Sequence, residues 1–406
     1  MNILPIRCPR VPAARVLLSA LLLSALLLAT VAARTAVADE APLPPPLAEE
    51  PLRLETLGSP GPHWLWVNDF WTSKARLFDA DTGRMLGMLD TTFFTPALEA
   101  STSRGEVMFT GSYYARGNRG TRTDVVGIYS LRELAPLAEI VLPPGPAKIA
   151  AGVPIRSYSG LLDGGRFLTI YNFGPTMSVS IVDVIERTYV GEIDTGGCGL
   201  VFPAGPAALL QLCSDGTVQR LRLDLVGREQ SRDRTEPFFD AQADPLMEKA
   251  ARDGDLWWFV SFSGKVHGVS GQTLVPLEPW ALQGSERRDA KWRPGGYQPV
   301  ALHRDTRRLY VLMHEGGEDT HKDPGTEVWV FDVDRRERVA RIELTTPATS
   351  IEVTQDDAPL LYATNPVSGM VEVYSALDGR RQRTISETGT AYILQAVQPA
   401  ADRARD

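Results

Sequence analysis

The chain has 406 residues, with 42 Lys and Arg against 50 Asp and Glu, for a formal charge of −8. An acidic chain of this kind argues against nucleic acid and against anionic lipid as partners. Length alone suggests two domains, but closed all-β folds run longer as single units.

The first element is a targeting segment. Arg7, Arg10 and Arg15 give a positive start, and residues 16–33 are almost wholly Leu, Ala, Val and Ser. Ala36-Val37-Ala38 comes next as a small-residue cleavage site. Residues 1–38 are therefore expected to be a signal peptide, with the mature chain starting at Asp39 in the periplasm. A retained anchor fits less well, because the apolar run is barely long enough to span a bilayer. Removing residues 1–38 takes away four Arg and no carboxylates, so the charge becomes −12. Residues 39–62 are rich in Pro and acid and are expected to form an extended arm.

Repetition dominates the rest of the chain. An alternating apolar strand ends near Asp or Ser, a polar turn comes after it, and a second strand returns. The Asp or Ser positions are Asp79, Ser130, Asp183, Asp224, Ser270, Asp332 and Ser375. Their mean spacing is about 49 residues, which suits one four-stranded propeller blade. The period-two strands, punctuated by Gly and Pro, predict an all-β seven-bladed propeller over residues 63–400. The first copy starts at its second strand, residues 63–68. An extra apolar strand, residues 392–397, lies beyond the last copy, and we expect it to complete the first blade and close the ring. Residues 401–406 are expected to be a disordered tail.

Two cysteines remain after export, Cys198 and Cys213, and an even pair in an oxidising compartment reads as a disulfide. Closing so short a loop is worth roughly 3 kcal/mol in the chain-entropy model. Tyr113 and Tyr114 sit in a strand-like run and are expected in the core. The interval between Ser270 and Asp332 is 62 residues, with its extra length in residues 278–297 and 313–327. Long loops on a rigid ring are common binding elements. His303, His314 and His321 share this repeat, but their spacing matches no standard ligand pattern, so no metal is expected. Gly295-Gly296 reads as a turn, and Asp356-Asp357 as solvated turn residues. The chain lacks G-x-S-x-G, H-E-x-x-H, a P-loop and C-x-x-C-H, so no catalytic residue is assigned to it.

Several stretches closely resemble the heavy subunit of quinoprotein amine dehydrogenases. They are Trp292-Arg293-Pro294-Gly295-Gly296-Tyr297, Leu302-His303-Arg304, Arg308-Leu309-Tyr310-Val311, Thr320-His321-Lys322, Glu327-Val328-Trp329-Val330-Phe331-Asp332 and Arg338-Val339-Ala340-Arg341-Ile342. The likeness extends to Leu86-Gly87-Met88, Arg116-Gly117, Arg122-Thr123-Asp124-Val125-Val126 and the pair Cys198 and Cys213. It looks closer to the aromatic amine dehydrogenase than to the methylamine one. The resemblance implies a periplasmic seven-bladed propeller without a cofactor of its own. It implies a two-plus-two heterotetramer with a small disulfide-rich subunit that carries tryptophan tryptophylquinone. That quinone oxidises a primary amine to an aldehyde and ammonia, and electrons leave to a blue-copper protein. One heavy-subunit Phe approaches the substrate path in the family. The matching residue is Phe93, within Asp90-Thr91-Thr92-Phe93-Phe94-Thr95, although the flanking residues depart from the family's pattern and Phe94 competes for the role. Two other readings fit the repeats: a free-standing propeller that binds protein or peptide, and a lactonase-type propeller hydrolase with a central metal.

Overall fold

The computed structural model describes residues 56–69, 71–92, 98–117, 119–144, 155–284 and 287–397. The signal peptide, its cleavage site, most of the Pro-rich arm and residues 401–406 lie outside these. The described chain is a ring of seven antiparallel sheets, and its only helices are two short 3-10 turns.

Blade 1 orders its strands Ala391–Ala396, Trp64–Asp69, Lys74–Asp79 and Arg84–Asp90. The strand from the end of the chain pairs antiparallel with Trp64–Asp69, Trp66 lying opposite Gln395, and so closes the ring as expected. Blade 2 is built from Leu98–Ser101, Glu106–Arg116, Arg119–Ser130 and Pro136–Val141. Blade 3 uses Ser159–Leu161, Phe167–Asn172, Ser178–Asp183 and Thr188–Asp194, and blade 4 uses Cys198–Pro203, Ala208–Cys213, Val218–Leu223 and Glu229–Arg234. Blade 5 has Ala250–Asp253, Leu256–Val260, Lys265–Ser270 and a stub at Trp280–Ala281. In blade 6, Trp292–Pro294 and Val300–His303 both pair with Arg308–Glu315, with Gly325–Asp332 and Glu337–Ala348 further out. Blade 7 has Ser350–Val353, Leu360–Asn365, Met370–Ser375 and Arg381–Ile385.

The recurring Asp or Ser has a local cause. Each lies at or just past the end of a third strand and caps the turn into the fourth. Asp183 accepts from the backbone N–H groups of Ile185 and Glu186 at 3.0 and 3.1 Å, and Asp332 from those of Asp334 and Arg335 at 3.1 and 3.0 Å. Ser130 and Ser270 do the same with their hydroxyls. A short polar side chain that mimics a backbone turn is favoured there. The turn then needs a left-handed residue, supplied by Gly83 and Gly379 but also by Leu134, Arg187, Leu274 and Arg336.

The core lies between blades. Leu65, Val67 and Leu394 of blade 1 pack on Tyr362, Val371 and Val373 of blade 7, and a similar apolar layer fills the other junctions. Outer strands are polar and exposed, as in Glu229–Arg234, which discourages edge pairing with other chains. Arg156, at the entry to blade 3, meets Glu352 of blade 7 at 2.7 Å, and Gln298 of blade 6 donates to the same carboxylate at 2.7 Å.

Polar links also join neighbouring blades. Glu106 of blade 2 takes Arg104 at 2.9 Å and is paired with Arg187 of blade 3. Burial alone raises the Glu106 pKa, but hydrogen bonds from Arg187 and Arg104 outweigh it and hold the carboxyl below its ordinary 4.5. A depressed carboxylate contributes stability that is present above its unfolded pKa and lost as pH falls through its folded value. The Glu106→Gln variant is therefore expected to unfold at a lower temperature than the parent at pH 7. The gap should narrow as the pH drops below about 4.5. A gap independent of pH, measured by thermal unfolding from pH 7 to pH 3, contradicts this.

Candidate functional site

In a blade entered on its innermost strand, the links between blades and the hairpins between second and third strands leave on one face. Most of the residues singled out from the sequence are carried by that face. Phe93 and Phe94 belong to the link from blade 1 to blade 2, and both lie outside the described residues. The root of that link is described and firmly held. Thr91 N–H donates to Ser73 O at 2.9 Å, and Ser112 N–H donates to Thr92 Oγ1 at 3.0 Å. Ser112 in turn donates to Asp124 at 2.6 Å, and Arg122 meets the other oxygen of Asp124 at 2.9 Å. Gly111 is required here, because a Cβ on it would lie 2.5 Å from Thr92 Oγ1.

The hairpin that holds this root outruns its blade, and this corrects the expectation for Tyr113 and Tyr114. The strand is regular, as predicted, but its last residues lie beyond the interblade core. Tyr113 is 44% exposed and Tyr114 is half-buried.

Cys198 and Cys213 lie opposite each other on the first two strands of blade 4 and are joined in a disulfide. The three histidines of blade 6 do not converge. His303 bonds Thr306 and Asp356 O at the opposite end of the blade, His314 bonds Thr320, and His321 stacks on Phe262 with ring centres 3.8 Å apart. Among the described residues no group of three His, Cys, Asp or Glu side chains is placed to hold a metal ion. Gly296 adopts φ +111° and packs against Thr349 O, as a turn. Asp356 is held by Thr354 and His63.

Lys249 was missed in the sequence, where a Glu-Lys pair before a short strand has no motif. It is fully buried and donates to Gly296 O at 3.0 Å and His321 O at 2.7 Å. Burial pushes its pKa down to about 7, against the pull of Glu248. Glu248 is itself paired with Lys322. Two charged residues ahead of blade 5 thus pin both long segments of blade 6, and the Thr320-His321-Lys322 hairpin is rigid as a result. Lys322 also lies over the Tyr297 ring at 5.3 Å, and Tyr297 meets Tyr392 edge-on at 4.9 Å. Trp71, 57% exposed, donates to Tyr392 Oη at 3.4 Å. An aromatic path therefore runs from the rim of blade 1 towards blade 6. Rigid aromatic groups of this kind suit recognition of another protein.

Comparison with known proteins agrees with the fold and narrows the family. Among solved structures, a putative 6-phosphogluconolactonase from Bacteroides fragilis NCTC 9343 superposes with a TM-score of 0.56, covering 82% of this chain and 98% of that one. Dihydro-heme d1 dehydrogenase NirN superposes with a TM-score of 0.54, covering 87% and 79%. At 12% and 16% identity these show the fold alone. The sequence is 30% identical to the methylamine dehydrogenase heavy chain of Paracoccus versutus, with 84% of this chain and 80% of that one covered. It is 28% identical to the heavy chain of Methylophilus methylotrophus, with 80% of each covered. The family model for the methylamine dehydrogenase heavy chain matches residues 67–398, from within the Trp64–Asp69 strand of blade 1 through the closing strand. The chain belongs to the methylamine dehydrogenase heavy chain family.

Proposed function

We propose that this chain is the large, cofactor-free subunit of a periplasmic amine dehydrogenase that oxidises primary amines to aldehyde and ammonia. The observation that carries this reading is the family match over the whole ring. The quinone, tryptophan tryptophylquinone, belongs to a small partner subunit in a two-plus-two heterotetramer, and a blue-copper protein accepts the electrons. In this chain Trp292 and Trp329 approach with ring centres 5.3 Å apart and are packed under Arg341 and Arg338.

The role left to this chain is to dock the small subunit and to wall the amine's path. The anchored loop root at Thr92, the aromatic path from Trp71 to Tyr297 and the rigid Thr320-His321-Lys322 hairpin offer such a face. Phe93 is the residue we assign to the channel wall, where an aromatic side chain excludes water without reacting. Residues 1–38 act as the export signal. The relatives named above are methylamine dehydrogenase heavy chains, so the substrate class proposed is a primary amine, with no preference assigned between alkyl and arylalkyl amines.

The purified large chain is expected to show no quinone absorbance and no amine oxidation. Adding the small subunit should restore turnover of a primary amine with an artificial electron acceptor. Robust turnover by this chain alone overturns the reading, and so does failure of the two chains to associate.

A further inference from the structure

A groove of about 230 Å³ opens on the flank of blade 2 that faces blade 1. Its floor is Phe109 and Gly127, its walls are Tyr113, Tyr129 and Leu137, and Glu139 stands at its rim. Phe109 and Tyr129 stack with ring centres 5.7 Å apart. Gly127 keeps the floor open, since a Cβ there would lie 2.9 Å from Phe109. Tyr113 and Leu137 are 44% and 52% exposed, so the aromatic and aliphatic walls are accessible.

The charge of the groove is negative. Among the described residues Glu139 forms no ion pair, whereas nearby Asp90 is paired with Lys74. Burial raises the pKa of Tyr113 and of Tyr129, and the charges of Glu139 and Asp90 raise both further, so these carboxylates act on both phenols. Ring faces carry negative potential and attract organic ammonium ions, most strongly where several rings surround the charge. A carboxylate beside them adds to that selectivity. The volume lies below the ~300–1,000 Å³ of pockets for drug-sized ligands, which limits the occupant to a small molecule.

We propose that this groove binds a small organic cation, a primary alkyl- or arylalkylammonium ion, with its charge against Glu139 and its apolar body on Tyr113, Tyr129 and Leu137. Such an ion is what a primary amine becomes in neutral water. The proposal does not depend on the subunit reading, because the site lies wholly within this chain.

The test uses the full-length secreted chain with phenethylammonium chloride as the probe and 2-phenylethanol as its neutral counterpart. Titration calorimetry at low salt should show the cation binding about 5- to 10-fold more tightly than the alcohol. In Glu139→Gln that preference should fall about 3- to 5-fold, to the share the rings alone supply, while the alcohol's affinity stays the same. In Tyr113→Ala both ligands should weaken. Equal affinities in the parent chain overturn the proposal, as does no binding by either ligand. A cation preference undiminished in Glu139→Gln also overturns it, by placing the binding elsewhere. None of these results bears on whether the small subunit restores amine oxidation, so the two readings stand or fall separately.

Discussion

Replacing Phe93 with alanine is expected to change which amines the assembled enzyme prefers while leaving the quinone spectrum intact. As the proposed wall of the amine's path, this side chain would supply apolar surface that a bulky amine contacts and a small one does not. A change of one or two methylene equivalents in an apolar pocket is worth roughly 1–3 kcal/mol, or about 10- to 200-fold in a specificity ratio. The measurement is kcat/KM for an arylalkylamine and for a short alkylamine, with thermal unfolding alongside. A Phe buried in the core behaves differently. Its truncation costs about 3–5 kcal/mol of stability and affects every substrate alike. An unchanged ratio with a lowered Tm removes Phe93 from the channel. An unchanged ratio with an unchanged Tm shifts the role to Phe94 or to the small subunit.

The second large effect is expected at Lys249. Lys249→Met keeps most of the volume but leaves Gly296 O without its Lys donor, and His321 O with the Gly296 N–H at 3.2 Å. An unsatisfied buried carbonyl costs roughly 1–3 kcal/mol, so a loss of about that size in unfolding free energy is expected at pH 7. The pH dependence is more specific. The native pKa of Lys249 is about 7 against an unfolded 10.5, so between these values the unfolded chain binds more protons. Stability from this group therefore rises with pH across that window. The parent-minus-variant difference should widen from pH 7 to pH 10 in denaturant titrations. A difference that stays flat across this range indicates an amine that remains protonated in the folded protein, and contradicts the lowered pKa. Acceleration of proteolysis within 316–324 in the variant would locate the loosening at the pinned hairpin.

The ring was legible in the sequence because each blade repeats one covalent demand. A short polar side chain must cap the turn after the third strand, so Asp79, Asp183 and Asp332 mark blades even where the strands differ. Blade 5 departs most from the repeat, since its outer strand is only Trp280–Ala281. The disulfide was legible from arithmetic, with two cysteines left once residues 1–38 are set aside as the expected signal. Tyr113 misled because alternation reports a strand but not where the neighbouring sheet stops. Lys249 and the groove over Phe109 were invisible, because the first is made by segments that meet only when blades pack and the second by three strands that meet only when blade 2 folds. Lys249 meets carbonyls 47 and 72 residues away. The family resemblance supplied what local pattern cannot, a reason for a large chain without a recognisable active site.

The closing strand Ala391–Ala396 sets a condition on how the molecule is made. Until those residues have been made, Trp64–Asp69 has no partner on its inner side and presents a bare edge of backbone donors and acceptors. The other six blades draw their strands from continuous stretches of chain and can assemble in order, but the first cannot be finished before the last. Completion of the first blade thus waits for synthesis of the last strand. A chain cut before Ala391 leaves a template open to any passing strand, which makes truncated forms prone to aggregate.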